Sequence, residues 1–188
     1  MTFHGWFPDR AHYWVDGDEA AAYPVRQGDL IQGVTVEGEK WDAAQIVHPT
    51  CDLGKPSVAR LQVARVRPLT DLPDDFARRL VTLGYRDRAG RRPVAVAHTF
   101  FLAAWPGHEE AAFANFRELA MVERGAASSK ARIATMTHDC RVAWIRRWIY
   151  FRLRLTVTPE QVQAMEAERI AGDPSFEGPR PEWAPLVV

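Results

Sequence analysis

Between Leu30 and Leu69 the chain reads as strands. In LIQGVTVEG, residues 30–38, β-branched positions alternate after the turn signal Gln27-Gly28-Asp29. WDAAQIVH, residues 41–48, ends in an apolar run that Pro49 breaks. SVARLQVARVRPL, residues 57–69, sets Val58, Leu61, Val63 and Val66 against Arg60, Gln62, Arg65 and Arg67, with a slip near Ala64. Three strands are predicted here. DDFARRLVTL, residues 74–83, predicts a short helix with Pro73 at its start and acids near its positive end, stopping at Gly84. PVAVAHTFFLAAW, residues 93–105, is apolar almost throughout and predicts a central strand covered on both faces. AFANFRELAMVE, residues 112–123, fits strand or helix, with strand favoured for its first half.

The last third changes period. Thr137 is placed to cap a helix through HDCRVAWIRRWIYFRLRL, with Asp139 in its first turn. At about 100° per residue, Trp144, Ile145, Trp148, Ile149, Phe151, Leu153 and Leu155 share a broad apolar face. Arg146, Arg147, Tyr150 and Arg154 fall opposite, while Arg141 and Arg152 project from the middle of the apolar face. Thr158-Pro159-Glu160-Gln161 is a capping box that opens a second, amphipathic helix ended by Gly172.

These elements predict an α+β fold: a small, curled, antiparallel barrel with a long basic-aromatic C-terminal helix packed on it and a short second helix. Residues 1–27, aromatic and aperiodic, read as an extended arm lying over the domain. Residues 28–157 form the barrel with its helix, and 158–188 a capping helix with a proline-rich tail.

Composition narrows the class. With 47% hydrophobic and 26% charged residues among 188, the chain is an ordinary globule long enough to bury a core. No apolar run reaches the roughly 18 residues of a membrane span, and the N-terminus lacks a secretory pattern. Two cysteines make no disulfide framework, so a reducing cytoplasm is expected. The net charge of zero hides a gradient. Residues 121–155 hold eight Lys/Arg against Glu123 and Asp139, whereas residues 1–30 hold five acids and two arginines. The gradient fits internal pairing or a basic face kept for an anion.

Four groups of residues could carry chemistry. His48 and Cys51, with His138 and Cys140, supply the donors of a tetrahedral zinc site. Two unrelated packing thiols explain the same residues, and no metal or other cofactor is assigned. Cys51 could be a nucleophile, with His48 or His138 as base and Asp52 orienting that histidine. An inward guanidinium needs a carboxylate or lines an anion pocket; with Asp52 and Asp29 the acids expected inside the sheet, this predicts that Arg152, with Arg141 as a second candidate, meets Asp52 beside Cys51. Finally, Arg86, Arg88, Arg91 and Arg92 beside Tyr85 have the composition of a nucleic-acid-gripping loop, with Arg146 and Arg147 adding to it from the helix.

Gly28-Asp29 opening a strand, an apolar second strand, an alternating third ending RPLTD, and the later strands and helix resemble, over residues 25–155, the SH3-like barrel of the PemK and MazF toxin endoribonucleases. That resemblance implies single-stranded RNA bound over the barrel and cleaved at a phosphodiester. Asp29 matches the family's Gly-Asp, and Thr50 lies near the hydroxyl residue closing its second strand. The family's arginine-proline is replaced by Lys40-Trp41-Asp42. QGD near the start and TCDL after the second strand also resemble a group of bacterial proteins without an assigned activity. The reading preferred is a nucleic-acid- or partner-binding module without catalysis, with a homodimer as a further option and no membrane. The alternative is a divergent endoribonuclease or cysteine-dependent hydrolase centred on Cys51, Asp52 and Arg152.

Overall fold

The computed structural model describes residues 10–53, 55–83, 98–153 and 157–171. Six strands, β1 (Leu30–Val36), β2 (Glu39–Ile46), β3 (Arg60–Pro68), β4 (Thr99–Leu102), β5 (Ala112–Glu123) and β6 (Arg132–Ala134), form one antiparallel sheet in the order β4-β5-β3-β2-β1-β6. Around it lie α1 (Gly17–Ala22), the single turn α2 (Thr50–Leu53), α3 (Asp74–Leu83), α4 (His138–Leu153) and α5 (Pro159–Ala171). The fold is α+β.

The expected barrel is not closed. Closure would require β6 to reach the far edge of the sheet, but it is three residues long and pairs only with Leu30 and Ile31 of β1. The sheet is nevertheless curled, since β1 and β5 touch although two strands separate them. Alternation splits the apolar side chains between two cores. Leu30, Ala43, Val47 and Ala64 face a large core shared with α3 and α4, while Ile31, Val34, Ile46, Leu61 and Val63 face a smaller one inside the curl.

The slip read near Ala64 has a structural partner. Between Ala64 and Arg65 the pairing of β3 with β5 jumps, because residues 116–118 of β5 have no opposite number. β5 is a strand along its whole length, past the first half read as strand. β4, read as central, is an edge strand among the described residues, yet all four of its side chains are buried. Its apolar run reflects that cover, which sequence alone cannot tell from a central position.

The segment before residue 28 is not simply draped. Residues 17–22 are helical, and Tyr13 and Trp14 are buried in the main core. Trp14 bridges Met136, its Nε1 donates to Ala103 O at 3.1 Å, and Tyr13 O accepts from Thr137 N at 2.9 Å. Buried indoles need such a partner.

α4 starts with a weak Thr137 cap, Cys140 N to Oγ1 at 3.4 Å. Its face assignment holds in part. Trp144, Ile145 and Arg141 are buried and Trp148, Ile149 and Phe151 pack against the core as read, but Arg147 and Tyr150 are buried too, while Leu153 is 64% exposed and Arg152 is exposed. A single apolar stripe presumes one covered side, whereas Cys140 to Ile145 are all buried, so the first half of α4 is covered all round. The box at α5 forms in both directions: Gln161 N donates to Thr158 Oγ1 at 3.2 Å and Thr158 N to Gln161 Oε1 at 2.8 Å. α5 packs on α4 and α2 and buries Val162.

Candidate functional site

The sequence signals QGD and TCDL are stitched into one corner. Gly28 takes φ +95°, which a Cβ disfavours, and a Cβ there would lie 3.1 Å from Met136 Sδ. That turn lets Gly28 N reach Ile46 O at 2.8 Å and Ile46 N reach Asp29 O at 3.0 Å. Gln27 N donates to Thr50 Oγ1 at 3.1 Å and its Nε2 to Val47 O at 2.8 Å. Gln45 Nε2 donates to Gly28 O, while its Oε1 accepts from Trp144 Nε1 at 2.5 Å, tying the corner to α4.

Asp29 is wholly buried beneath it. Its Oδ2 accepts from Arg26 N at 2.9 Å and lies 3.5 Å from Arg132 Nη1. Arg132 also donates to the carbonyls of Ala20, Tyr23 and Pro24, so it fastens the end of α1 to the sheet. Burial outweighs these partners and pushes the Asp29 carboxyl up to about 6. Arg26 donates to Met136 O and lies 4.2 Å over the Tyr23 ring; burial holds its pKa below the usual arginine range. Arg26 and Arg132 gave no sequence signal, since neither sits in a periodic segment aimed at the core.

The catalytic set is only partly brought together. His48 Nδ1 accepts from Gln62 N at 3.4 Å, and its Nε2 stands 3.9 Å from Asp52 Oδ2. Both ring nitrogens therefore face structural neighbours, and burial lowers the His48 pKa against the pull of Asp52. Asp52 takes Lys55 Nζ at 2.8 Å. Cys51 belongs to α2, with its side chain outside the described residues. Arg152 forms no ion pair with Asp52. It is exposed, with its guanidinium 5.5 Å from the Trp148 ring centre. The expected buried pair of Arg152 with Asp52 is overturned: α4 turns Arg141 and Arg147, not Arg152, inward, and Arg147 donates to Thr99 O and lies over Phe100.

Among the described residues no three of His, Cys, Asp and Glu form a metal-holding group, and the side chain of Cys51, one of the four zinc donors, lies outside them. His138 Nε2 is 3.0 Å from Gln163 Nε2 of α5, and Cys140 is buried, its thiol pushed well up by desolvation.

Arg86, Arg88, Arg91 and Arg92 lie outside the described residues. Of the two helix arginines assigned to nucleic acid, Arg147 is 0% exposed and cannot meet a phosphate without leaving the core; Arg146 is half-buried and donates Nε to Val157 O. The described residues that flank segment 84–97 in the chain, in α3 and at the start of β4, include basic and aromatic ones. Phe76 of α3 lies 5.7 Å from the His98 ring, and Arg117 of the β5 bulge lies close enough to His98 to lower its pKa further below the level set by burial. On the bulge's other side, Phe116 packs edge-on against Trp148 at 5.2 Å, and Arg152 covers that indole. Phe76, His98, Trp148 and Phe151 are each partly exposed, and Arg78, Arg79, Arg117 and Arg152 are exposed. Reading by linear segment missed this group because α3, β5 and α4 each contribute only one to three members.

No helix among the described residues is long and apolar enough to cross a membrane. No protein-family model matches the sequence, and no curated protein matches it either.

Proposed function

We propose that the protein is a non-catalytic binding module for single-stranded nucleic acid, using the face where the 84–97 segment leaves α3 and rejoins β4. The carrying observation is that partly exposed rings lie beside exposed guanidiniums in two places: Phe76 and His98 beside Arg117, and Trp148 under Arg152. Rings offer stacking platforms that tolerate any base, while arginines track the phosphates. Arg86, Arg88, Arg91 and Arg92 lie in the sequence between α3 and His98. The resemblance to the PemK and MazF barrel points to the same ligand class, without its cleavage chemistry. The hydrolase alternative is weaker, because Arg152 is exposed over Trp148 rather than paired with Asp52.

The test is fluorescence anisotropy with labelled single-stranded RNA and DNA about ten nucleotides long, at about 50 mM salt, where electrostatic binding is strong. Binding that weakens several-fold on Arg117→Gln plus Arg152→Gln, without loss of the thermal transition, is expected. Absence of binding at that salt removes the proposal. Cleavage of the RNA that stops with Cys51→Ser would restore the enzyme reading.

A further inference from the structure

On the inner side of the TCDL corner lies a cavity of about 490 Å³, within the range of small-molecule sites. Leu53 of α2, Leu61 of β3, Val25 and Ala127 supply apolar wall. Its polar groups are three hydroxyls, from Thr50, Ser128 and Ser129, and a single cation, Arg124. None of the residues lining it is acidic. Arg124 is set in place from two sides: its backbone N donates to Ala59 O at 2.9 Å, and its Nη1 donates to Lys55 O. Fixing one edge of the guanidinium leaves its remaining donors for a ligand. Thr50 Oγ1 accepts from Gln27 N, so its own proton is left to be donated.

We infer that this cavity binds a small amphipathic carboxylate, its apolar body against Leu61 and Leu53 and its carboxylate on Arg124 and the hydroxyls. The charge balance selects the class. One cation without an opposing acid attracts an anion, and a guanidinium matches a carboxylate's planar pair of oxygens. A phosphate dianion would leave about one charge uncompensated beside an apolar wall, which is unfavourable. Pro24, Val25, Leu53, Leu61 and Ala127 make up half of the lining residues, which disfavours a sugar-like ligand that is polar all round. The TCDL element thereby gains a physical role, since Thr50 links the QGD turn to the ligand and Leu53 forms wall.

The probes are straight-chain carboxylates of four to ten carbons, with the matching alcohols and alkyl phosphates, titrated calorimetrically into the full chain. Carboxylate affinity should rise with chain length and exceed the matching alcohol's by at least tenfold. Arg124→Gln should erase that preference while alcohol binding persists. Because Arg124 also holds Lys55 O, Ser129→Phe at the exposed rim is a second variant, and it should weaken carboxylates of every length. Amide shifts at residues 50–53 and 124–129 should accompany binding. Equal affinity for alcohol and carboxylate, stronger binding of the phosphate, or shifts elsewhere only would each overturn the assignment.

Discussion

Asp29 shows how one residue can set a pH dependence. Its folded pKa of about 6 exceeds its ordinary value near 3.8, because burial disfavours the charged form more than Arg26 and Arg132 favour it. The folded state therefore holds a proton that the unfolded state has released between those values. Stability contributed by this group is complete below about pH 4 and is lost as pH rises through about 6, by up to roughly 3 kcal/mol for a shift near two units. Urea denaturation at pH 4.5 and 7.0 should show the difference between the two pH values shrinking in Asp29→Asn; an unchanged difference would mean that Asp29 ionises normally. Cys140 yields a second residue-scale expectation. Buried, with its thiol held protonated, it should resist a thiol reagent such as a maleimide until the chain is unfolded, and rapid native labelling at Cys140 would contradict its placement.

At the scale of elements, α4 decides which arginine matters. Arg147→Ala removes a fully buried side chain bonded to Thr99 O and leaves a void, so a loss of about 3 kcal/mol is expected. Arg152→Ala removes an exposed side chain and should stay within about 0.5 kcal/mol. Denaturant midpoints measure both, and the reverse ranking would restore the apolar stripe read from periodicity. The stripe held for Trp144, Ile145, Trp148, Ile149, Phe151 and Arg141 but missed the inward Arg147 and the outward Arg152, and the cause is physical. Strand alternation in β1 to β3, the start of α3 and the Thr158–Gln161 box were readable because each is set by neighbours within a few residues. The orientation of α4 depends on β4, the Tyr13–Trp14 segment and α5, which arrive from distant parts of the chain. The same holds for the site. Gly28, Asp29 and Thr50 stood out locally, whereas Arg124, Arg132 and Arg117 acquire their roles only through the sheet's curl and the β5 bulge.

Across the whole molecule, the neutral net charge is divided between spent and available cations. Arg132 is buried against Asp29, Arg141 is buried close to Arg26, Arg147 is under β4, and Arg65 and Arg67 are paired with Glu39, Glu118 and Asp71. Such cations cannot exchange counterions with a ligand, so they should not contribute to salt-dependent binding. Those left on the α3, β5 and α4 face are exposed, and the salt dependence should come from them and the loop arginines alone. For a single strand each phosphate contact adds about −0.7 to the slope of log K against log salt, so Arg117→Gln plus Arg152→Gln should flatten it by about 1.4. Arg60 is the control, being exposed and paired with Glu123 on another part of the sheet, and Arg60→Gln should leave the slope unchanged. Anisotropy titrations at four or more salt concentrations give all three slopes. Flattening by Arg60→Gln to the same extent would show that nucleic acid, if bound, is held by diffuse charge and that the basic-aromatic face has no special part in holding it.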